Sequence, residues 1–172
     1  NSVTPTNTRF FNGGAFLTGN VVISGNSSTV VTETISIGGN NLNIGQANGL
    51  GQATLTMTTA GTQGVNIVMA STSTSIFNRG VGSTMLIRGD NLGNTQGADV
   101  AAIVGGTTGL GLSQNNGQSV GQTGQWNAPN ALVYAWALAD PSATGLGTSF
   151  ASYSTFGGSA NFGTTNTGGV AP

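Results

Sequence analysis

The sequence has no cysteine, no histidine and no lysine, and only seven of its 172 residues are charged. Charged residues make up 4% of the chain, where about 25% is usual in a globular domain. Without cysteine there are no disulfide bonds, and without cysteine or histidine the usual zinc ligands are missing. A serine or threonine nucleophile would have no histidine or lysine as its base. The composition argues against an enzyme and predicts no catalytic, metal or cofactor site.

Positive charge and long apolar runs are also scarce. The basic side chains are Arg9, Arg79 and Arg88, too few for the basic stripe of a nucleic-acid binder. The longest apolar run covers residues 131–139, whereas a membrane-spanning helix needs about 20 residues. We therefore expect neither a nucleic-acid partner nor a membrane-spanning segment. The first residue is Asn1, without a Met or a signal-type apolar segment, which suggests a processed or excised chain.

Small neutral polar residues take the place of charge. Gly, Ser, Thr, Asn and Gln supply 98 of the 172 residues, and the net charge is −1. A small domain usually carries a net charge of about 2–8 in magnitude, which keeps its copies apart. Self-association is therefore expected, and copies of the same chain are the first candidate partner.

Strand periodicity argues against disorder despite the polar composition. Several short β-branched runs alternate apolar with polar residues, which is typical of half-buried strands. Residues that accept positive φ, such as Gly25-Asn26 and Gly61, separate them. The runs are 21–23, 30–37, 42–44, 53–58, 65–69 and 85–87.

The length and the pattern predict a single all-β domain over residues 1–172. It has a strand-dense block at about 15–88, Gly/Gln/Asn-rich loops at about 105–125 and an aromatic-rich end at 126–162. Large and small residues alternate along 131–139, which favours a strand there, with a helix as the alternative because Leu132 and Trp136 are four residues apart. The aromatic residues are expected to seal a core or an interface.

Two architectures fit short strands joined by tight turns: a β-solenoid-like stack and a β-sandwich. Strand starts of the form Gly-x-apolar-x-apolar recur at Gly19, Gly39, Gly51, Gly64 and Gly82 without a fixed period. Stacked Asn and Thr can form hydrogen-bonded ladders between coils. Segments such as Thr54-Leu55-Thr56 suit that arrangement, whereas sandwiches usually have more surface charge. The solenoid-like stack is therefore favoured over the sandwich.

Three stretches carry a resemblance to a known family: "IFNRGVGSTMLIRGDNLG", "DPSATGLGTSFASYSTFGG" and "GGVAP", preceded by the strand-turn unit "GNNLNIGQANGLGQATLTM". They resemble the autotransporter-associated β-strand repeat proteins of bacterial cell surfaces. The matching positions are Asn78-Arg79, Ser83-Thr84-Met85-Leu86, Arg88-Gly89 and Thr148-Ser149-Phe150-Ala151-Ser152-Tyr153. The resemblance implies an extracellular, solenoid-like stalk or surface layer, often part of a longer secreted chain, and no enzymatic activity.

The four acids are Glu33, Asp90, Asp99 and Asp140. Two of them could hydrolyse a glycoside only if they converged to about 5–10 Å, and their spacing does not indicate this. Asp90 and Asp140 are predicted in turns, before Asn91 and Pro141, and Glu33 on an exposed strand face among threonines. The one candidate cation is a Ca²⁺ near Asp90 and Asp99.

The tripeptide Arg88-Gly89-Asp90 is a sequence that some adhesion receptors recognise. The strand over residues 84–87 must end here, however, and Gly followed by Asp-Asn is typical of such an end. We interpret it as a strand-terminating turn across which Arg88 and Asp90 can pair.

Two functional hypotheses follow. The first is a structural protein of the bacterial cell exterior that self-assembles into a filament, sheath or surface array, because unprotected strand edges promote further pairing. The alternative is an extracellular binding or adhesion module for polysaccharide, ice or a host cell surface, with carbohydrate as the candidate ligand.

Overall fold

The structure is a computed structural model that describes residues 15–35, 42–45, 51–69, 77–79, 82–94, 96–105, 119–120, 132–156 and 159–163. The lead before residue 15, Trp126 and the C-terminal "GGVAP" lie outside these residues. Most of the predicted loop stretch 105–125 also lies outside them.

The described residues form thirteen β-strands and no helix, which confirms the all-β prediction. Each of the six predicted β-branched runs coincides with a strand, and the described residues of the segment 131–139, which begin at Leu132, form a strand and not a helix. The strands are β1 Ala15–Leu17, β2 Asn20–Ser24, β3 Val31–Ile35, β4 Leu42–Ile44, β5 Gln52–Thr58, β6 Val65–Met69, β7 Phe77–Arg79, β8 Thr84–Gly89, β9 Ala101–Gly105, β10 Ser119–Val120, β11 Leu132–Asp140, β12 Ser149–Phe156 and β13 Ser159–Gly163.

The first nine strands pair in three parallel ladders, β1-β4-β7, β2-β5-β8 and β3-β6-β9. Each of the strands β1 to β6 therefore pairs with the one three places further along the chain. Asn20 pairs with Thr54, and Val31 pairs with Val65. We call the three successive groups β1–β3, β4–β6 and β7–β9 the first, middle and third coils. This pattern brings one residue of each coil into a common row.

The last three strands join two of these ladders at the third coil. β11 runs parallel to β8. β12 is antiparallel to β11, β13 is antiparallel to β12, and β13 also pairs antiparallel with β9. β10 pairs with β11. The result is a ten-stranded sheet whose path begins at β2 and ends at β3, beside the separate three-stranded sheet β1-β4-β7.

The inward rows of the ladders form the main apolar core. One row contains Leu55, Ile87 and Ala139 and the next contains Ala53, Met85 and Ala137, all of them buried. The small alanines of β11 thus lie beside large side chains of β8. Burying a large aliphatic side chain contributes about 1.5–3 kcal/mol, so these rows favour the observed register, since a shift of one residue would turn them outward.

Glu33 is buried, with 6% of its surface exposed, and the prediction that it lies on an exposed strand face is wrong. The parallel register places Glu33 in one row with Ile67 and Ile103, which are buried on the core face. Side chains alternate along a strand, so Glu33 shares a face with Val31 and not with the neighbouring Thr32.

The glycines singled out in the sequence have a simple relationship in the fold. Gly19, Gly51 and Gly82 lie just before β2, β5 and β8, the second strand of each coil. The Gly19 carbonyl accepts the Thr54 amide at 3.0 Å, and the Gly51 carbonyl accepts the Thr84 amide at 3.0 Å. Gly39 and Gly64 fall between these three glycines in the sequence. The five glycines taken together therefore show no fixed period.

Candidate functional site

The four acids do not form one carboxylate cluster. Glu33 lies in a core row of β3, Asp140 ends β11, and Asp90 and Asp99 lie on the segment between β8 and β9. Among the described residues there is no group of three or more His, Cys, Asp and Glu side chains that could hold a metal ion.

Asp90 and Asp99 are parts of one compact connection. Asp90 Oδ2 accepts the Thr59 amide at 2.8 Å and the Thr59 hydroxyl at 3.2 Å. Asn91 Nδ2 donates to the Asp99 carbonyl at 2.9 Å, and both Asn91 and Asp99 have positive φ. The Asp90 carbonyl also accepts the Ala101 amide at 2.8 Å. Through these contacts Asp90 holds the connection between β8 and β9 against Thr59, which follows β5 in the middle coil.

Arg88-Gly89-Asp90 ends β8 and opens a turn, which confirms the prediction of a strand-terminating turn. Arg88 Nε donates to Thr56 Oγ1 at 2.9 Å, and Arg88 Nη1 donates to the Gly145 carbonyl at 3.0 Å. Gly89 is buried, and a Cβ there would lie 2.7 Å from the Cβ of Ala101. The Arg88 and Asp90 side chains are thus both partly exposed and are held by separate partners.

The connection from β11 to β12, residues 141–148, is organised around the Asp140 carboxylate. Asp140 Oδ1 accepts the Ser142 amide and Oδ2 accepts the Gly147 amide, each at 2.9 Å. Asp140 is 4% exposed, and hydrogen bonds to a carboxylate are about twice as strong as neutral ones. Two further contacts, from Arg88 to Gly145 and from the Asn91 amide to the Pro141 carbonyl at 2.9 Å, hold this loop against the end of β8.

The loop presents an exposed leucine. Leu146 is 84% exposed and lies between Gly145, whose carbonyl is held by Arg88, and Gly147, whose amide is held by Asp140. A Cβ on Gly147 would lie 2.9 Å from the Leu138 Cβ, so the loop lies directly against Leu138.

Leu138 and Phe150 extend this exposed apolar area. They pair across β11 and β12 and are 41% and 47% exposed. Leu86, half-buried on β8, is the next residue of the same row. We call Leu138, Leu146 and Phe150 the cap surface. It contains three of the five large apolar residues that are exposed in the described part of the chain.

Sequence reasoning did not find the cap surface. It placed aromatic residues of the C-terminal part at a core or an interface, and the exposed Phe150 and the half-buried Trp136 are the two whose side chains the structure describes. The available signal was the triplet Gly145-Leu146-Gly147, in which a lone leucine lies between two residues suited to a turn.

No protein-family model matches the chain, and neither a curated protein nor a solved structure is significantly similar to it. No helix long and apolar enough to cross a membrane occurs within the residues that the structure describes.

Proposed function

We propose that the chain is a non-enzymatic structural protein of the bacterial cell exterior that self-assembles into a filament, sheath or surface array. The observation that carries this proposal is the set of three parallel ladders, in which each strand pairs with the strand three places later. We interpret the three coils as successive turns of a β-solenoid, because stacked coils that contact only their neighbours give this order of pairing.

The ends of the ten-stranded sheet support self-assembly. The path ends at β2 and β3, and no other described strand pairs with their outer edges. Natural proteins protect such edges with charge, proline or an inward-pointing charged residue. Glu33 is such a residue on β3, whereas β2, with the sequence NVVIS, has neither charge nor proline. The edge of β2 is therefore the less protected of the two.

The neutral surface chemistry and the resemblance to autotransporter-associated repeats support the proposed exterior location. A polymer held by backbone hydrogen bonds and neutral side chains depends little on ionic strength, because it has few charges for salt to screen. This property suits a layer that is exposed to variable surroundings.

Electron microscopy and sedimentation of the purified chain in physiological salt test the assembly. We expect ordered fibres or sheets that form in a concentration-dependent way. A chain that stays monomeric at all accessible concentrations would overturn the proposal. Antibody labelling of intact cells that express the chain tests the location, and labelling only after lysis would contradict an exterior position.

A further inference from the structure

We infer that Asn26 is an acceptor site for an N-linked sugar, and that a sugar on this residue hinders the pairing of further strands with the first coil. The tripeptide Asn26-Ser27-Ser28 fits the acceptor pattern Asn-x-Ser/Thr. Asn26 is the only one of the nineteen asparagines that is followed two residues later by Ser or Thr. The acceptor site is independent of the proposed self-assembly, whereas the effect on strand pairing rests on it.

Asn26 lies in the connection between β2 and β3, residues 25–30, on the surface of the first coil. Ser27 and Ser28 are exposed, and Asn26 is half-buried. The connection is anchored to the middle coil, because the Gly25 amide donates to the Thr58 carbonyl at 2.6 Å. Acceptor tripeptides that carry a sugar lie in surface loops of this kind, so a transferase can reach this one.

The side-chain amide of Asn26 has a defined orientation. Its Oδ1 accepts the backbone amide of Ser28 at 2.8 Å, which closes a local turn over the tripeptide. This contact engages the amide oxygen and not the amide nitrogen, Nδ2, which is the atom that an N-linked sugar requires. The Ser28 hydroxyl, the third element of the acceptor pattern, belongs to an exposed residue of the same turn.

The modification is a glycosyl transfer from a sugar whose anomeric carbon carries a diphosphate group, the donor substrate of a transferase. Nδ2 of Asn26 attacks the anomeric carbon and forms a carbon–nitrogen bond, while the bond from that carbon to the diphosphate oxygen breaks. The diphosphate leaves with the bonding electron pair. Nδ2, which carries two protons as an amide, gives one of them to a base of the transferase.

A sugar on Asn26 lies close to the open edges of the ten-stranded sheet. The path of this sheet begins at β2 and ends at β3, and the connection that carries Asn26 joins these two strands. An N-linked sugar is bulky and solubilising, and a strand edge is protected when a further strand cannot approach it. The sugar therefore supplies the protection that charge gives in other proteins, in a chain with only seven charged residues.

Mass spectrometry of the chain purified from the cells that naturally make it, with peptide mapping, tests the acceptor site. We expect a sugar on Asn26 and none on Asn20, an exposed asparagine whose tripeptide ends in Val22. Asn26→Gln removes the acceptor. Ser28→Ala removes the hydroxyl but keeps the backbone amide that Asn26 contacts, so it separates recognition by the transferase from the structure of the turn.

Both variants, made in the same cells, should lack the sugar. The acceptor site is overturned if Asn26 of the natural chain carries no sugar, or if Ser28→Ala carries as much sugar as the unmodified chain.

Analytical ultracentrifugation tests the effect on strand pairing, with circular dichroism to check that each form is folded. Ser28→Ala, which lacks the sugar, should associate roughly tenfold more tightly than the glycosylated chain. Equal association of the two forms would refute the effect on strand pairing and leave the acceptor site standing. If both forms stay monomeric, the proposed self-assembly is refuted, and the acceptor site is again unaffected.

Discussion

Gly145 lies against the Asp140 carboxyl group so closely that a Cβ on Gly145 would overlap the carboxyl carbon. The absence of a side chain here lets the loop 141–148 close around the carboxylate, which accepts amides from both halves of the loop. The close packing of Gly145 on the buried Asp140 therefore fixes the position of the next residue, the exposed Leu146.

Gly145→Ala should therefore destabilise the fold by about 1–3 kcal/mol, since the added methyl group must displace the carboxyl group or the loop. Gly19→Ala is the matched control, because a Cβ at Gly19 meets nothing within 4 Å, and it should change stability by less than about 0.5 kcal/mol. Denaturant unfolding followed by circular dichroism measures both variants. Equal midpoints would contradict the packing described for Gly145.

Asp140→Ala should lower the free energy of unfolding by about 1–3 kcal/mol, because two loop amides lose their acceptor. Asp140→Asn should cost less, since the amide oxygen can still accept one of them. Thr144→Ala is the control, because Thr144 is an exposed residue of the same loop. It shows how much any substitution in the loop changes the free energy of unfolding. Thermal melts that rank Asn with Ala would indicate that the carboxylate hydrogen bonds contribute little.

The parallel register is testable with cysteine pairs, because the chain has no cysteine of its own. Asn20 pairs with Thr54 across β2 and β5, so their Cα atoms are about 4.8 Å apart and within the range of a disulfide. Asn20→Cys with Thr54→Cys should cross-link on mild oxidation.

The control for this pair is Asn20→Cys with Thr58→Cys. Thr58 pairs with Ser24, four residues away from the Asn20 level and therefore about 13 Å further along the strand. Non-reducing electrophoresis of dilute protein distinguishes the pairs, and efficient cross-linking of the control pair would show that the register is different.

Asp90→Glu should leave the attachment of cells to a surface coated with the protein unchanged. Arg88 and Asp90 are engaged by Thr56, Gly145 and Thr59, so they are not free to extend towards a receptor. A loss of attachment that a soluble Arg-Gly-Asp peptide reproduces on the unmodified protein would assign adhesion to this tripeptide after all.

The strands that could be predicted from the sequence share one property, a run of β-branched or large aliphatic residues. β5 and β6 are examples, whereas β9, with the sequence AAIVG, was missed because its first two residues are small. β9 is a strand because β6 and β13 pair with its two edges. Such support comes from distant parts of the chain, so a local pattern does not contain it.

The candidate site was less predictable than the strands. Asp140 was expected in a turn, whereas the structure places it at the end of β11, just before the loop, and its burial depends on the packing of that loop. Glu33 was expected to be exposed because it is charged, but the alternation of side chains along β3 places it on the core face with Val31. The cap surface brings together Leu138, Leu146 and Phe150 through strand pairing and loop closure, which no short motif specifies.

The connection between the first and second strands of each coil varies in length while the ladders keep their pairing. It contains two residues between β1 and β2, seven between β4 and β5, and four between β7 and β8. This connection therefore accepts extra residues without changing any register. In evolutionary terms it is where the chain can gain or lose residues at low cost, and for an engineer it is the place to insert a foreign peptide and display it once in every coil.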